Sequence, residues 1–466
     1  MGATRPRLLI LGIDGLPADM LTRWKPGFRM SCLESDMVSA TVRSLDIERP
    51  FNSASSWTSF LTGRPPCFHG IYDFNMRDGW TYRHYVADAR HIGHPSFMSL
   101  LNAAGIRTLM GNVPMTYPAS VSTGPILCGP VVPQACASYT NCAEIEAIVR
   151  DIEHETDISP SLLGRPCVEE DLVYMRSFAR QQCQILSALI ERLDWECAAV
   201  VVTATDRLFH KYWGYCDPTH RAYSSPLAPT VRHWMRRTLR EIDAAVGEMI
   251  RKCESDSEVL VVSDHGFGPL DGVFRLPSIL VRLGFGDHPA TASGREPRSW
   301  SRTRVYAAPA SSSGVYVNHS ARNRAGIVDP TALEALLDEV VQAIRREYPG
   351  PRWELSSTSC RGPMSMLGPD MYIRANDGRV ICSSRYAGDE GEYVEEELKT
   401  GTHDAMGILM AKGDFVCREI ERRQSWRIWQ LRRVIEAYFG IDSEGASISE
   451  RDESDVLAAM EGLGYV

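Results

Sequence analysis

The chain has 466 residues, 44% of them hydrophobic and 23% charged, with 50 Lys+Arg against 59 Asp+Glu and a formal net charge of −9. That is the profile of a globular protein long enough to bury a large core without disulfides or a structural metal. The acidic balance argues against a dedicated nucleic-acid binder, which carries a basic patch, and removes attraction to anionic lipid.

The elements follow in chain order. Leu8-Leu9-Ile10-Leu11 is a short apolar run that reads as a buried parallel strand. It is too short for a signal-peptide core or a membrane span, so a cytoplasmic protein is expected. The 13 cysteines are scattered with no CxxC pair, which predicts mostly free thiols in a reducing compartment rather than a disulfide framework. Arg49 to Phe74, "RPFNSASSWTSFLTGRPPCFHGIYDF", concentrates hydroxyls that either cap a helix at Ser56-Trp57 or supply a nucleophile. Long amphipathic helices are predicted over Tyr174 to Leu193 and Val231 to Lys252. Each is followed by an apolar strand, Ala199 to Val202 and Val259 to Val262. Helix–strand alternation implies crossover connections and a mostly parallel sheet covered on both faces.

Residues 283–330 are rich in Gly, Pro, Ser and Arg and read as surface loop with strands near Val305-Tyr306 and over Ser313 to Asn318. A helix follows over Ala332 to Tyr348, its basic end suiting the C-terminal dipole. His403 is placed in a loop between Gly401 and Gly407, entering an apolar strand. Late helices are expected over Ser425 to Ile441 and in 448–466.

Three of the predicted strands run into aspartate at their carboxyl ends, where open α/β sheets place their ligand crevice. Asp14 follows the first, Asp206 the second, and Asp264-His265 the third. His210 lies four residues beyond Asp206, so a helix there aims both side chains one way. With His403 this makes three carboxylates and three imidazoles, a donor mix suited to two divalent cations, Zn²⁺ first and Mn²⁺ or Mg²⁺ also compatible. Arg207 and Lys211 flank these positions and read as solvated. His69 reads as structural, holding the turn before Ile71.

Five segments in this order, "GIDG", "SASSWTSFLTGRPPCFHGIYDF", "TATDRLFHKYW", "VSDHGFG" and "GTHDAMGILMAKG", resemble the type I phosphodiesterase/nucleotide pyrophosphatase family of the alkaline phosphatase superfamily. The likeness spans nearly the whole chain. It implies an alkaline-phosphatase-like three-layer α/β sandwich with a mostly parallel central sheet, forming one catalytic domain over 1–466. Segments 76–195 and 270–395 are expected as inserted caps. It implies Ser53 as nucleophile, through a phosphoseryl intermediate, with one metal on Asp206, His210 and His403. The other would sit on Asp14, Asp264, His265 and the Ser53 oxygen. Ser55 occupies a position the family usually gives to Pro, which leaves the register between Ser53 and Ser55 open, although the spacing to His69-Gly70-Ile71 favours Ser53. Asn75 is the nearest match to an Asn that, in related enzymes, holds a phosphate oxygen.

The function implied is hydrolysis of phosphodiester or pyrophosphate bonds in a phosphate-ester or nucleotide-like small molecule. No nucleic-acid polymer or membrane partner is expected, and oligomeric state is not legible. The alternatives are a phosphomonoesterase or phosphonate hydrolase on the same core, and a non-catalytic metal-binding pseudoenzyme. The "CxPxR" motif of the sulfatase branch is missing from "SASSW".

Overall fold

The computed structural model describes residues 7–18, 28, 30–37, 41–131, 139–152, 169–253, 257–290, 296–308, 314–357, 361–387, 391–395 and 399–441. Contacts divide these into two compact units. The first gathers the described residues of 1–64, 88–269 and 398–447, the second those of 65–87 and 270–397.

The first unit is built on an eight-stranded sheet. Its strands are β1 (Leu8–Ile13), β2 (Thr41–Asp46), β3 (Thr108–Val113), β4 (Ile126–Cys128), β5 (Cys197–Val202), β6 (Glu258–Val262), β7 (Met406–Lys412) and β8 (Ser425–Arg427). The order across the sheet is β8-β2-β7-β6-β1-β5-β3-β4. Only β7 runs against its neighbours; the others pair in parallel or share their direction. The central strands β1 and β5 and residues 259–262 of β6 carry no charged residue because both faces are covered. Leu9, Leu11, Ile13, Val200, Val202, Val259 and Val261 enter one core, which takes in the helices α2 (Glu169–Arg192), α3 (Ala204–Cys216) and α4 (Ala228–Lys252). Leu8, Ile10, Ala199, Val201, Leu260 and Val262 enter the opposite core with the helix α1 (Ser53–Thr62). Successive residues thus serve opposite layers, as strand geometry requires. Each such buried Val, Leu or Ile side chain contributes about 1.5–3 kcal/mol. The result is a three-layer α/β sandwich with a mostly parallel central sheet.

The second unit holds a seven-stranded mixed sheet that includes Gly272–Arg275, Val305–Ala307, Gly314–Val317, Met371–Ala375 and Val380–Ser383. Helices Leu276–Arg282 and Leu333–Glu347 pack on its core. A short hairpin pairs Asn75–Arg77 with His84–Val86.

Several expectations shift. The segment 76–195 is divided between the units, because β3 pairs with β5 in the main sheet while 76–87 lies in the second unit. The segment 270–395 falls within the second unit. Ser425 to Ile441 is not one helix. Ser425–Arg427 extends to pair with β2, and the α-helix covers only Leu431–Tyr438. The helix expected in 448–466 lies outside the described residues. Cys67 is disulfide-bonded, while nine other described cysteines are free thiols.

Candidate metal centre

β1 ends at Ile13, and the Asp14 N–H continues the ladder by donating to the Val202 carbonyl at 3.0 Å. Gly15 then turns the chain at φ +72°, a conformation that favours glycine. Its N–H donates to Asp264 Oδ1 at 3.0 Å, tying the ends of β1 and β6 together. Thr205 Oγ1 donates to the Asp14 carbonyl at 2.5 Å and so adds the end of β5. α3 begins one residue earlier, at Ala204, and places Asp206 and His210 on one face. Its first amides are satisfied from outside: Gln182 Oε1 of α2 accepts from Thr203 and Ala204 N–H at 2.8 and 3.0 Å.

His403 is not in a loop. Gly401–Asp404 forms a two-stranded ribbon with Gly266–Pro269, in which His403 faces Phe267. The ribbon register brings His403 over His265, with ring centroids 3.8 Å apart.

These elements converge on one cluster. Asp206 Oδ1 lies 3.1 Å from His403 Nε2 and 3.4 Å from His210 Nε2, and those two ring nitrogens are 2.8 Å apart. His265 Nε2 lies 3.3 Å from Asp264 Oδ2, 3.6 Å from Asp14 Oδ1 and 4.0 Å from Asp206 Oδ1. Asp206, His210 and His403 form one group of mutually close ligand atoms, as the resemblance implies. The second close group is Asp14, Asp206 and His265, with Asp206 where the resemblance implies Asp264. Asp206 reaches both groups because α3 delivers it between them.

Each imidazole is held by its far nitrogen. His210 Nδ1 lies 3.0 Å from the Gly401 carbonyl, His265 Nδ1 3.1 Å from that of Gly266, and His403 Nδ1 2.6 Å from that of Phe51. A carbonyl only accepts, so Nδ1 carries the proton and Nε2 is turned inward. Burial pushes the His210 imidazole down to about 3 and lowers that of His265 as well. Burial, and then the Asp264 and Asp206 charges, push the Asp14 carboxyl well up. Burial also acts to raise Asp206, but His210, His403 and His265 outweigh it and hold that carboxylate below its usual range.

The donor set fits divalent metal. Asp264 Oδ2 is fully buried and makes no hydrogen bond among the described residues, a costly state for a carboxylate oxygen without a cation. The 2.8 Å approach of two ring nitrogens beside a shared carboxylate likewise calls for positive charge between them. Asp14, Asp264 and His265 are at most 2% exposed, whereas Asp206, His210 and His403 are 13–21% exposed at the side chain, so a ligand approaches from the latter group.

α1 is capped by Asn52, whose side chain accepts from Ser55 N–H at 3.0 Å, and not at Ser56-Trp57. The helix therefore begins at Ser53 and points its positive end into the cluster. Ser53 Oγ sits 3.2 Å from Asp14 Oδ1 and 3.4 Å from His265 Nε2. One turn on, Trp57 Nε1 lies 3.4 Å from Asp14 Oδ2. Its only sequence signal is the four-residue spacing from Ser53.

Asn75 lies outside the unit that carries this cluster. It belongs to the second unit, is exposed, and its backbone N–H donates to Asp73 Oδ1 at 3.2 Å. Lys211 is not solvated: it is 2% exposed and paired with Asp171 at 2.8 Å. Arg207 is half-buried, its guanidinium 4.7 Å from the centre of the Phe178 ring. His69 is fully buried and its Nδ1 accepts the Ile71 N–H at 3.1 Å.

The mostly parallel α/β sandwich that carries the Asp/His cluster and a helix-borne Ser at its carboxyl strand ends is a fold shared with solved structures. The chain belongs to the type I phosphodiesterase / nucleotide pyrophosphatase family, whose model matches residues 8–405. Human ectonucleotide pyrophosphatase / phosphodiesterase 5 is similar in structure, with TM-score 0.52 and 12% identity over 97% of this chain and 99% of its own. Phosphonoacetate hydrolase from Sinorhizobium meliloti 1021, solved with phosphonoformate, is also similar, with TM-score 0.50 and 14% identity over 93% and 96%. No curated protein matches the sequence significantly. Among the described residues, no helix is long and apolar enough to cross a membrane.

Proposed function

We propose that this protein hydrolyses phosphodiester or pyrophosphate bonds of small, nucleotide-like substrates, with Ser53 as the nucleophile. The observation that carries the proposal is Ser53 Oγ at the helix start, within 3.4 Å of both Asp14 and His265. Asp206, His210 and His403 would hold one divalent cation; Asp14, Asp264, His265 and Ser53 would hold another, with Asp206 within reach of both. Such cations, Zn²⁺ by donor preference, supply Lewis acidity that lowers a hydroxyl's pKa and offsets charge on phosphoryl oxygens.

The chain's own groups do the rest. Asp14 Oδ1 orients the Ser53 hydroxyl, and the three carbonyl-anchored imidazoles keep a fixed donor geometry. Ser53 Oγ attacks phosphorus, the P–O bond to the leaving group breaks, and a phosphoseryl adduct forms. Water then attacks the adduct, Ser53 leaves as its alcohol, and a phosphate monoester is released. The start of α1 favours the anionic group at Ser53 through its dipole. Trp57 braces the Asp14 oxygen that Ser53 does not use.

Initial rates on p-nitrophenyl thymidine 5′-monophosphate and on p-nitrophenyl phosphate test the reading, and the diester is the preferred substrate. A monoester preference reverses it. The likeness to phosphonoacetate hydrolase supports a second reading, cleavage of a C–P bond, for which phosphonoacetate is the third substrate to assay.

A further inference from the structure

The strand that carries His403 is fastened to the helix that carries His210 through one buried residue, Thr400, which is 3% exposed. Thr400 N–H donates to the His210 carbonyl at 2.8 Å. Its hydroxyl donates to the Lys211 carbonyl at 2.9 Å and accepts the Gly214 N–H at 2.9 Å. In a regular helix the His210 carbonyl pairs with that same Gly214 N–H. Thr400 is thus inserted into the hydrogen-bond ladder of the turn that holds His210.

The chain approaches α3 closely at this point. A Cβ added at Gly401 would lie 2.4 Å from the Phe209 carbonyl oxygen and 2.7 Å from Trp213 Cβ, so only glycine fits there. The Gly401 carbonyl in turn accepts from His210 Nδ1. Residues 400 and 401 therefore grip His210 from two sides, three and two residues before His403. A hydroxyl that both donates and accepts is needed at 400; serine supplies it, while valine matches the shape of threonine without it.

We propose that Thr400 is a positioning residue that sets the spacing between Asp206 and His210 on the helix and His403 on the strand, and with it that triad's affinity for a divalent cation. The inference rests on the reading of the cluster as a metal centre.

The test is titration of chelator-stripped protein with Zn²⁺ against a chromophoric chelator, for wild type, Thr400→Val, Thr400→Ala and Thr400→Ser. Loss of a group that orients ligands typically costs about 10–100-fold in metal affinity. Thr400→Val is expected to weaken one of two Zn²⁺ sites by about that factor and leave the other within about twofold, and Thr400→Ser restores both. Thr400→Ala carries the same expectation if valine prevents folding. Wild-type Zn²⁺ affinity in the folded valine or alanine variant overturns the inference while leaving the metal reading intact, and so does failure of serine to restore the site. A wild-type protein that takes up no Zn²⁺ overturns the metal reading itself.

Discussion

Asp264→Asn should change stability and cation binding in opposite directions. Asp264 Oδ1 accepts the Gly15 N–H, and an asparagine oxygen retains that bond. Among the described residues Asp264 Oδ2 is buried without a donor, in a cluster that also contains the Asp14 and Asp206 carboxylates. Leaving one polar atom unsatisfied costs about 1–3 kcal/mol, and more for a charged one. Replacing that oxygen by an amide removes a buried negative charge, so the metal-free variant should be more stable than wild type by about 1–3 kcal/mol. At about 2 °C per kcal/mol for a domain of about 250 residues, Tm rises by about 2–6 °C. With a cation at about a hundredfold above its Kd, wild type gains about 2.7 kcal/mol per site. The variant loses most of that gain and most of its activity, so its Tm advantage is largely cancelled or reversed. Calorimetric scans with chelator and with excess Zn²⁺ read both effects. A variant less stable than wild type in chelator, or equally stabilised by Zn²⁺, would refute the reasoning.

Ser53→Ala should lower kcat by about 10⁴ or more while elemental analysis finds nearly the wild-type metal content, since six other side chains remain. Lys211→Met leaves Asp171 buried without its ammonium partner and should cost about 3–5 kcal/mol by denaturant unfolding, whereas adding Asp171→Leu should restore most of the loss. Burial pushes the Asp73 carboxyl up to about 8, with the Asn75 and Phe74 amides opposing it. The folded state then holds a proton that the unfolded chain has released, so stability falls as pH rises from about 4 towards 8, and Asp73→Asn should flatten that slope in denaturant titrations.

Much of the catalytic unit was legible in sequence because its physics is local. The strands β1 and β5 and residues 259–262 of β6 are continuous apolar runs, and the acidic or imidazole residues that follow them stand out against burial cost. Asp206 and His210 were readable as a pair because four-residue spacing survives into α3. What was not legible depends on chain segments distant in sequence. His403 looks like a loop residue between glycines, and its strand exists only through pairing with Gly266–Pro269. Asn52 outcompetes Ser56 as the cap of α1, a choice between two good capping residues that local preference does not settle. Ser425–Arg427 carries a helical pattern but gives it up to extend β2's edge of the sheet. Lys211 reads as a surface charge until Asp171 on α2 meets it. The carbonyls of Phe51, Gly401 and Gly266 that orient the histidines leave no mark in residue identity at all.

The central claim is that Asp14, Asp206, His210, Asp264, His265 and His403 hold two divalent cations that Ser53 needs for hydrolysis. It is tested most directly by stripping the protein with chelator and restoring Zn²⁺ stepwise while measuring phosphodiester turnover. The account predicts no turnover after stripping and recovery that levels off at two equivalents per chain. Full turnover by protein shown by elemental analysis to contain no metal would contradict it.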